Sequence, residues 1–385
     1  MNVYVLGGGA SGMVAAIVSK RKGFNVTIIE KNNSLGKKLL LTGNGRCNYY
    51  NDNMSLDNYY KDVSKIINEI NLDKLKSFFD SIGIIGIQKD GYYYPYANTS
   101  YAILGALKKE IEVLGINIIN EEVIDIQNNH IITNMNSYKY DKVILSLGGS
   151  SYPKTGSNGF GYELLKKLGH KINEVKPALV PLLINDNIDW KGIRLKGCVS
   201  LYVDDKFLIY DKGEIQLTDS GISGICVMNI SRFIDLNKKN VVRIDFLPDI
   251  GDLHEFIDER NNKLKNRTII ELLEMMINYK LLYLLFKKIH INVDSRWNEL
   301  NQNDKEKIIK ALKSYEVEVI DTKGFMYAET VTGGVPLDEV DENCKSLIIP
   351  NLYITGELLD IDGKCGGYNL VNAFITGILA GEDDA

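Results

Sequence analysis

At 385 residues the chain is long for one hydrophobic core, and its 45% hydrophobic and 25% charged content is that of a globular protein of two or three domains. A net charge of −5 argues against nucleic acid as a global partner, and no apolar run approaches the ~18 residues of a membrane span. The five cysteines (Cys47, Cys198, Cys226, Cys344, Cys365) are odd in number and scattered without CxxC spacing, a pattern against a disulfide framework or a metal site and in keeping with a reducing cytoplasm.

The chain opens on an apolar run, Val3-Tyr4-Val5-Leu6, then Gly7-Gly8-Gly9-Ala10-Ser11-Gly12, then Met13–Val18, and a second apolar run, Val26–Ile29, closes on Glu30. Strand, glycine turn, helix, strand and acid in that order form a dinucleotide fingerprint. Gly7 permits the tight turn, Gly9 lets backbone approach a pyrophosphate, and Gly12 lets helix pack on strand. The phosphates sit on the helix N-terminus, and Glu30 stands where an acid holds a ribose hydroxyl, as in FAD or NAD. A strand beginning at residue 3 and breaking at Gly7 leaves no room for a signal peptide, so a cytoplasmic location is expected.

Lys31 to Asn48 mixes glycine with Lys, Arg and Asn, either a close-approach loop for an anionic cofactor or a plain surface loop. The periodicity predicts a helix over Leu72–Ile82. The run Tyr92–Tyr96 is either the lining of an aromatic pocket or a surface strand. A helix is expected at Tyr101–Leu114, strands at Ile116–Ile119 and Val123–Ile126, and part of a hairpin at Ile131–Tyr140. Lys142–Leu147 is a buried strand ending in Gly148-Gly149, which reads as a second crossover on the cofactor side. Gly156, Gly159 and Gly161 precede a helix at Tyr162–Leu168; a second dinucleotide would need a strand closer to them.

From about residue 185 the texture changes. Residues 190–246 carry short alternating runs (Val199–Val203, Phe207–Tyr210, Val241–Phe246), and 253–315 become helical, with Thr268–Lys288 and Asp304–Tyr315 the main stretches. The division expected is a nucleotide domain in two segments, 1–184 and 326–385, with a β-rich piece at 185–250 and a helical piece at 251–325. Near the end, Tyr353-Ile354-Thr355-Gly356-Glu357 gives strand, glycine and acid. Gly366-Gly367-Tyr368-Asn369 then leads into an apolar helix, Leu370–Ala380, a second helix N-terminus suited to an anion or carbonyl.

The longer motifs carry a resemblance. They are Leu35-Gly36-Lys37-Lys38 with Thr42–Asn48, Gly148–Pro153, Thr155–Gly159, Pro177–Leu182, Leu217–Gly224, Thr332–Val335, and Gly356–Asp360 with Gly366–Leu370. Over nearly its whole length the sequence resembles the BaiN-like, or aminoacetone-oxidase-type, FAD-binding flavoproteins. The resemblance implies an α/β fold: a Rossmann-type, glutathione-reductase-like FAD domain with an inserted β-barrel and helical subdomain. It places Gly7, Gly9, Ala10, Ser11, Gly12, Glu30 and Lys31 at the ADP half, with Val123 offering backbone to the adenine. Lys38, Gly43, Gly45, Arg46, Cys47, Gly148 and Gly149 would lie along the cofactor, and Gly356 and Glu357 at the pyrophosphate and ribityl chain. Gly366, Gly367, Tyr368, Asn369 and Leu370 would meet the flavin N1–C2 edge, where preoriented dipoles stabilise charge on reduction. Val371 and Asn372 stand where many members have Gln and an aromatic, and Asp219 where some have His.

The function implied is FAD-dependent oxidoreduction, with hydride passing through flavin N5 to or from a small organic substrate, an enone or an amine, and NAD(P)H as a transient donor. The alternatives are a tRNA-modifying flavoprotein, for which Lys263, Lys265, Lys287, Lys288, Lys305, Lys307, Lys310 and Lys313 would form a basic patch rather than a solvated helix face, and a non-catalytic electron carrier. Tyr368, Asp219 and Cys365 are the substrate-side candidates; Cys47 and Cys365 otherwise fill space beside the ring. No metal is expected.

Overall fold

The computed structural model describes residues 1–186 and 188–384, in two compact units. The first comprises Met1–Ala178 together with the chain from Phe325 onward, and the second is Leu179–Gly324.

The first unit is built on a five-stranded parallel sheet. Strand β1 (Asn2–Leu6) lies between β2 (Asn25–Ile29) and Lys142–Leu145; Asn117–Ile119 and Leu352–Ile354 form the edges. Val3, Val5, Leu6, Ile28 and Val143 to Leu145 are all buried, the continuous apolar texture of strands covered on both faces. Helix α1 (Ala10–Arg21) crosses from β1 to β2. The last helix, Tyr368–Glu382, lies against α1, with Gly377 over the Ser11 backbone and Gly381 2.8 Å from Val18 when a Cβ is built on it. Side chains there would push the helices apart. Helices Glu69–Ser81, Ser100–Val113 and Phe160–Lys167 complete the layers, each near the range its periodicity predicts.

Three small antiparallel sheets sit on this frame, one of them Asn173–Ala178 paired with Thr330–Gly334. Tyr92–Pro95 pairs with Tyr50–Asn51 and Gly86–Lys89, so the tyrosine run is a strand. Val123–Gln127, His130–Thr133 and Ser137–Lys139 form a meander. Its first turn, Asn128-Asn129, has φ of 49° and 60°, the left-handed pair that a two-residue hairpin needs.

Lys142 is fully buried in its strand, with Nζ donating to the Asp383 carbonyl at 2.5 Å and lying 4.2 Å from the Tyr353 ring centre. Burial lowers its pKa from 10.5 to about 8, although Asp383 and Asp384 oppose the shift. Between those values the unfolded chain binds the proton and the folded chain does not, so this group makes stability rise with pH across that window. Below it, the buried charge costs up to about 3 kcal/mol. Lys142→Met is expected to stabilise the protein at neutral pH and to lose the alkaline rise, as read by urea unfolding on both sides of the window.

The second unit is a closed six-stranded antiparallel barrel. Its order is Leu182–Ile184, Gly221–Ser223, Lys206–Leu217, Arg194–Val203, Asn240–Asp245 and Tyr315–Thr322. Val199, Leu201, Ile215, Leu217, Val242, Ile244 and Val317 point inward and form one core with Ile257, Leu272, Leu285, Phe286, Trp297 and Leu312 of the helices. The expected division at 250 is therefore replaced by one shared core. The barrel takes its first strand from before 185 and its last from after 314, and Leu253–Lys313 is an excursion between two barrel strands. The expected Thr268–Lys288 helix is two, Ile269–Leu273 and Tyr279–Lys288, because Asn278 caps the second by accepting from the Lys280 N–H at 2.9 Å. No helix among the described residues is long and apolar enough to cross a membrane.

Candidate functional site

The carboxyl ends of the parallel strands carry the site. Gly7 continues β1 by donating to the Ile29 carbonyl at 2.8 Å and turns with φ +99°, against the backbone of Ser146. A Cβ on Gly12 would overlap the Gly7 carbonyl oxygen, which brings α1 tight against the turn. Gly9 differs: a Cβ there would meet nothing within 4 Å. It is the N-cap of α1 and no side chain caps that helix, so the first-turn N–H groups of Ala10, Ser11 and Gly12 lie uncapped beside the open space at Gly9.

Beside it, Glu30 accepts from the Gly8 N–H at 2.8 Å, the Asn32 N–H at 2.8 Å and Asn32 Nδ2 at 2.7 Å. Asn32 also donates to the Thr155 carbonyl at 3.1 Å, and Asn120 Nδ2 donates to the carbonyls of Glu30 and Asn32. Lys31 turns outward to Glu122, 3.5 Å away. Glu30 is thus held against the glycine turn at Gly8 by partners that sequence reading missed.

The second helix N-terminus completes the geometry. Ser11 against Gly377 and Val18 against Gly381 make α1 and the last helix run in the same sense. The nine residues from Gly377 back to Tyr368 therefore carry the last helix about 13 Å past the first turn of α1. Its N-cap is Gly367, again without a side-chain cap. Asn369 staples the loop before it: Oδ1 accepts from the Gly363 N–H at 2.9 Å and Nδ2 donates to the Gly363 carbonyl at 3.0 Å. Tyr368 is buried, with its hydroxyl donating to the Asn53 carbonyl at 3.0 Å and Asn51 Nδ2 within 3.3 Å of it. Burial pushes this phenol up to about 12, with Tyr92 adding to the shift. As placed, the hydroxyl fixes the 51–53 loop, in contrast to the substrate-side role considered for it.

Lys38 and Glu357 form an ion pair between the two ends. Ser151 donates to Glu357 Oε1 at 2.9 Å, Thr330 to the same oxygen at 3.1 Å, and the Gly149 N–H to Oε2 at 3.3 Å, while Tyr162 donates to the Glu357 carbonyl at 2.6 Å. Burial raises the carboxyl, but Lys38 and these donors outweigh it and hold Glu357 below the usual carboxylate range. Both residues spend their charge on each other. Gly356 lies against Ser11 Oγ, and its N–H donates to Thr376 Oγ1 at 2.9 Å.

Along the 42–48 loop, the Arg46 guanidinium stacks 4.9 Å from the Tyr94 ring centre. Gly43, Gly45 and Cys47 take left-handed backbone conformations. Cys47 is fully buried, and burial drives its thiol up to about 12 against a hydrogen bond with Thr42, so no thiolate forms at neutral pH. Cys365 is half-buried. Gly148 packs on Ser157, Gly156 on Asn32, Gly159 on Ser150 and Gly161 on Leu358. The glycines weighed for a second dinucleotide are thus filled by the protein's own atoms.

Val123 is buried in the meander. Asp219 is exposed in the inserted unit, 3.4 Å from Lys191. Of the lysines weighed as a basic patch, Lys288 pairs with Asp186, Lys313 with Asp245, Lys307 with Asp304 and Lys263 with Glu259, while Lys305 lies over Trp297. Four of the eight thus have an acidic partner within the unit.

Whether a long dinucleotide fits is answered by the atoms left over. Two uncapped helix N-termini, an open space at Gly9, and the buried Asn48 Oδ1, without a partner beside Gly367, suit a long anionic cofactor such as FAD. Residues 1–383 match the HI0933-like protein Rossmann domain. The chain belongs to that family. It is 34% identical to a 3-dehydro-bile acid delta(4,6)-reductase from Clostridium scindens, over 98% of this chain and 97% of that one. It is 25% identical to a ribosomal RNA dihydrouridine synthase from Escherichia coli, over 98% of this chain and 96% of that one. The solved 3-ketosteroid-delta4-(5alpha)-dehydrogenase from Rhodococcus jostii has a TM-score of 0.49 and 14% identity, covering 99% of this chain and 95% of that one. Membership of the HI0933-like family makes this chain a Rossmann-type flavoprotein and an oxidoreductase.

Proposed function

We propose that the protein reduces a carbon–carbon double bond conjugated to a carbonyl in a small organic molecule, with FAD as its cofactor. The observation that carries the reading is the uncapped N-terminus at Gly367–Tyr368, reaching past the equally uncapped N-terminus of α1. Bound there, FAD supplies hydride exchange at N5, with negative charge gathering at its N1–C2 edge. The N–H groups of Tyr368, Asn369 and Leu370 are preoriented for that charge, and the Asn369 staple keeps them so. Gly7, Gly9, Ala10, Ser11 and Gly12 receive the pyrophosphate, and Glu30 the ribose. Lys38 and Glu357, neutralising each other, wall the middle of the site without adding net charge.

The substrate class draws support from the relatives. A bile-acid dienone and uracil both carry C=C beside C=O, so a reductase of one and a dihydrouridine synthase for the other call for the same hydride acceptor. The second relative favours a second reading, a uridine in RNA; the paired lysines of Leu253–Lys313 weigh towards the small molecule. NAD(P)H is the proposed donor, binding transiently.

Anaerobic stopped-flow spectroscopy tests both readings. The full-length flavoprotein is reduced with NADH or NADPH, then mixed with a 3-oxo-Δ4 steroid or with uridine-containing ribosomal RNA. Fast flavin reoxidation by the steroid alone supports the small-molecule reading. Reoxidation by the RNA alone replaces it with the second. If neither reoxidises the flavin, both fall.

A further inference from the structure

We infer that Asn48 recognises the pyrimidine edge of the flavin, its side-chain oxygen accepting the N3–H. The inference rests on the FAD reading above. Asn48 is 8% exposed, and its Oδ1 is buried without a hydrogen-bond partner. Buried carbonyl oxygens are seldom left so, and one that is points to an absent donor. The position identifies the donor. A Cβ built on Gly367 would lie 2.9 Å from the Asn48 carbonyl oxygen and 3.1 Å from Oδ1, so Asn48 stands at the uncapped start of the last helix. Gly367 has φ +90°, and any larger residue would meet both strain and Asn48.

The chemistry there is complementary. A helix N-terminus offers donors only, which suits the flavin N1 and O2 acceptors. The neighbouring N3–H needs an acceptor. Other polar side chains of this corner are spent: Asn51 Nδ2 on the Gly366 carbonyl, Asn369 on Gly363, and the Tyr368 hydroxyl on Asn53. Asn48 Oδ1 remains. Its loop is fixed by the Cys47 N–H donating to the Thr42 carbonyl at 3.0 Å, with the Asn48 N–H close behind Gly43. Asn48 therefore acts as a positioning residue, setting which way the ring lies.

The test is a binding cycle on the full-length chain stripped of flavin, titrated with FAD and with N3-methyl-FAD, alongside thermal unfolding of the flavin-free protein. Wild type is expected to bind FAD about tenfold more tightly than the methylated analogue, the worth of one good hydrogen bond. Asn48→Leu should bind both alike, with FAD weakened about tenfold and the flavin-free melting temperature unchanged or raised. Asn48→Ala replaces it should leucine not fold. Equal affinity of wild type for the two flavins overturns the inference, as does discrimination that persists in the variant. A wild-type chain that takes up no FAD overturns the flavin reading itself.

Discussion

Gly9→Val is expected to yield a folded protein without flavin. The Gly9 backbone, φ −76° and ψ −170°, is open to valine, and a Cβ there meets no atom within 4 Å. Losing glycine at an N-cap costs the flavin-free chain about 1 kcal/mol or less. The branched methyls would nevertheless occupy the space over the first-turn N–H groups of α1, where a pyrophosphate must come to backbone contact. FAD affinity should fall at least about a hundredfold, given the several charge-assisted bonds displaced. Gly12→Val is the contrast: its Cβ would overlap the Gly7 carbonyl, so the fold itself should be lost. Flavin content per purified chain, with urea unfolding of the flavin-free forms, separates the two. Full flavin in Gly9→Val would refute the placement of the cofactor on α1.

Lys38→Met should be the most damaging single change to the pH response. The Lys38 and Glu357 side chains are 21% and 17% exposed, and removing one partner strands the other's charge in a poorly solvated place. Breaking such a pair costs about 3 kcal/mol. In the wild type, the Glu357 carboxyl lies below its ordinary 4.5, so its contribution is present above that value and is lost as pH falls through the lower folded one. Without Lys38, burial is expected to outweigh the remaining Ser151 and Gly149 donors and raise the same carboxyl, and the sign reverses: the variant should gain stability as pH falls to the ordinary value and then level off, whereas wild type loses stability below that value. Parallel urea titrations across the acid range read this directly. Parallel slopes for the two proteins would show that the pair is not coupled.

The β1–α1–β2 unit was legible because one continuous apolar run, a glycine turn and a small-residue helix leave few other arrangements. The last helix was legible for the same reason, with glycines before it and apolar residues all round. Pairings across distance were not. Lys38 and Glu357 each stand in a recognisable motif, but their mutual neutralisation joins residues far apart in the chain. Glu316-Val317-Glu318-Val319 alternates like a strand, yet the helical reading that ran to Tyr315 hid it, and with it the closing of the barrel by Tyr315–Thr322. The break before Tyr279 depends on one asparagine choosing to cap rather than continue. Asn48 was passed over because an oxygen lacking a partner is a property of space, invisible in a string of letters.

The order of synthesis gives the split sheet a cost. The edge strand Leu352–Ile354 and the helix that covers α1 leave the ribosome only after the whole of Leu179–Gly324. The inserted unit has its own barrel and core and can fold as it emerges, while the earlier strands wait with the Lys142–Leu145 edge unpaired and one side of α1 bare. The apolar flank of the nascent chain therefore needs shelter until translation reaches the last helix.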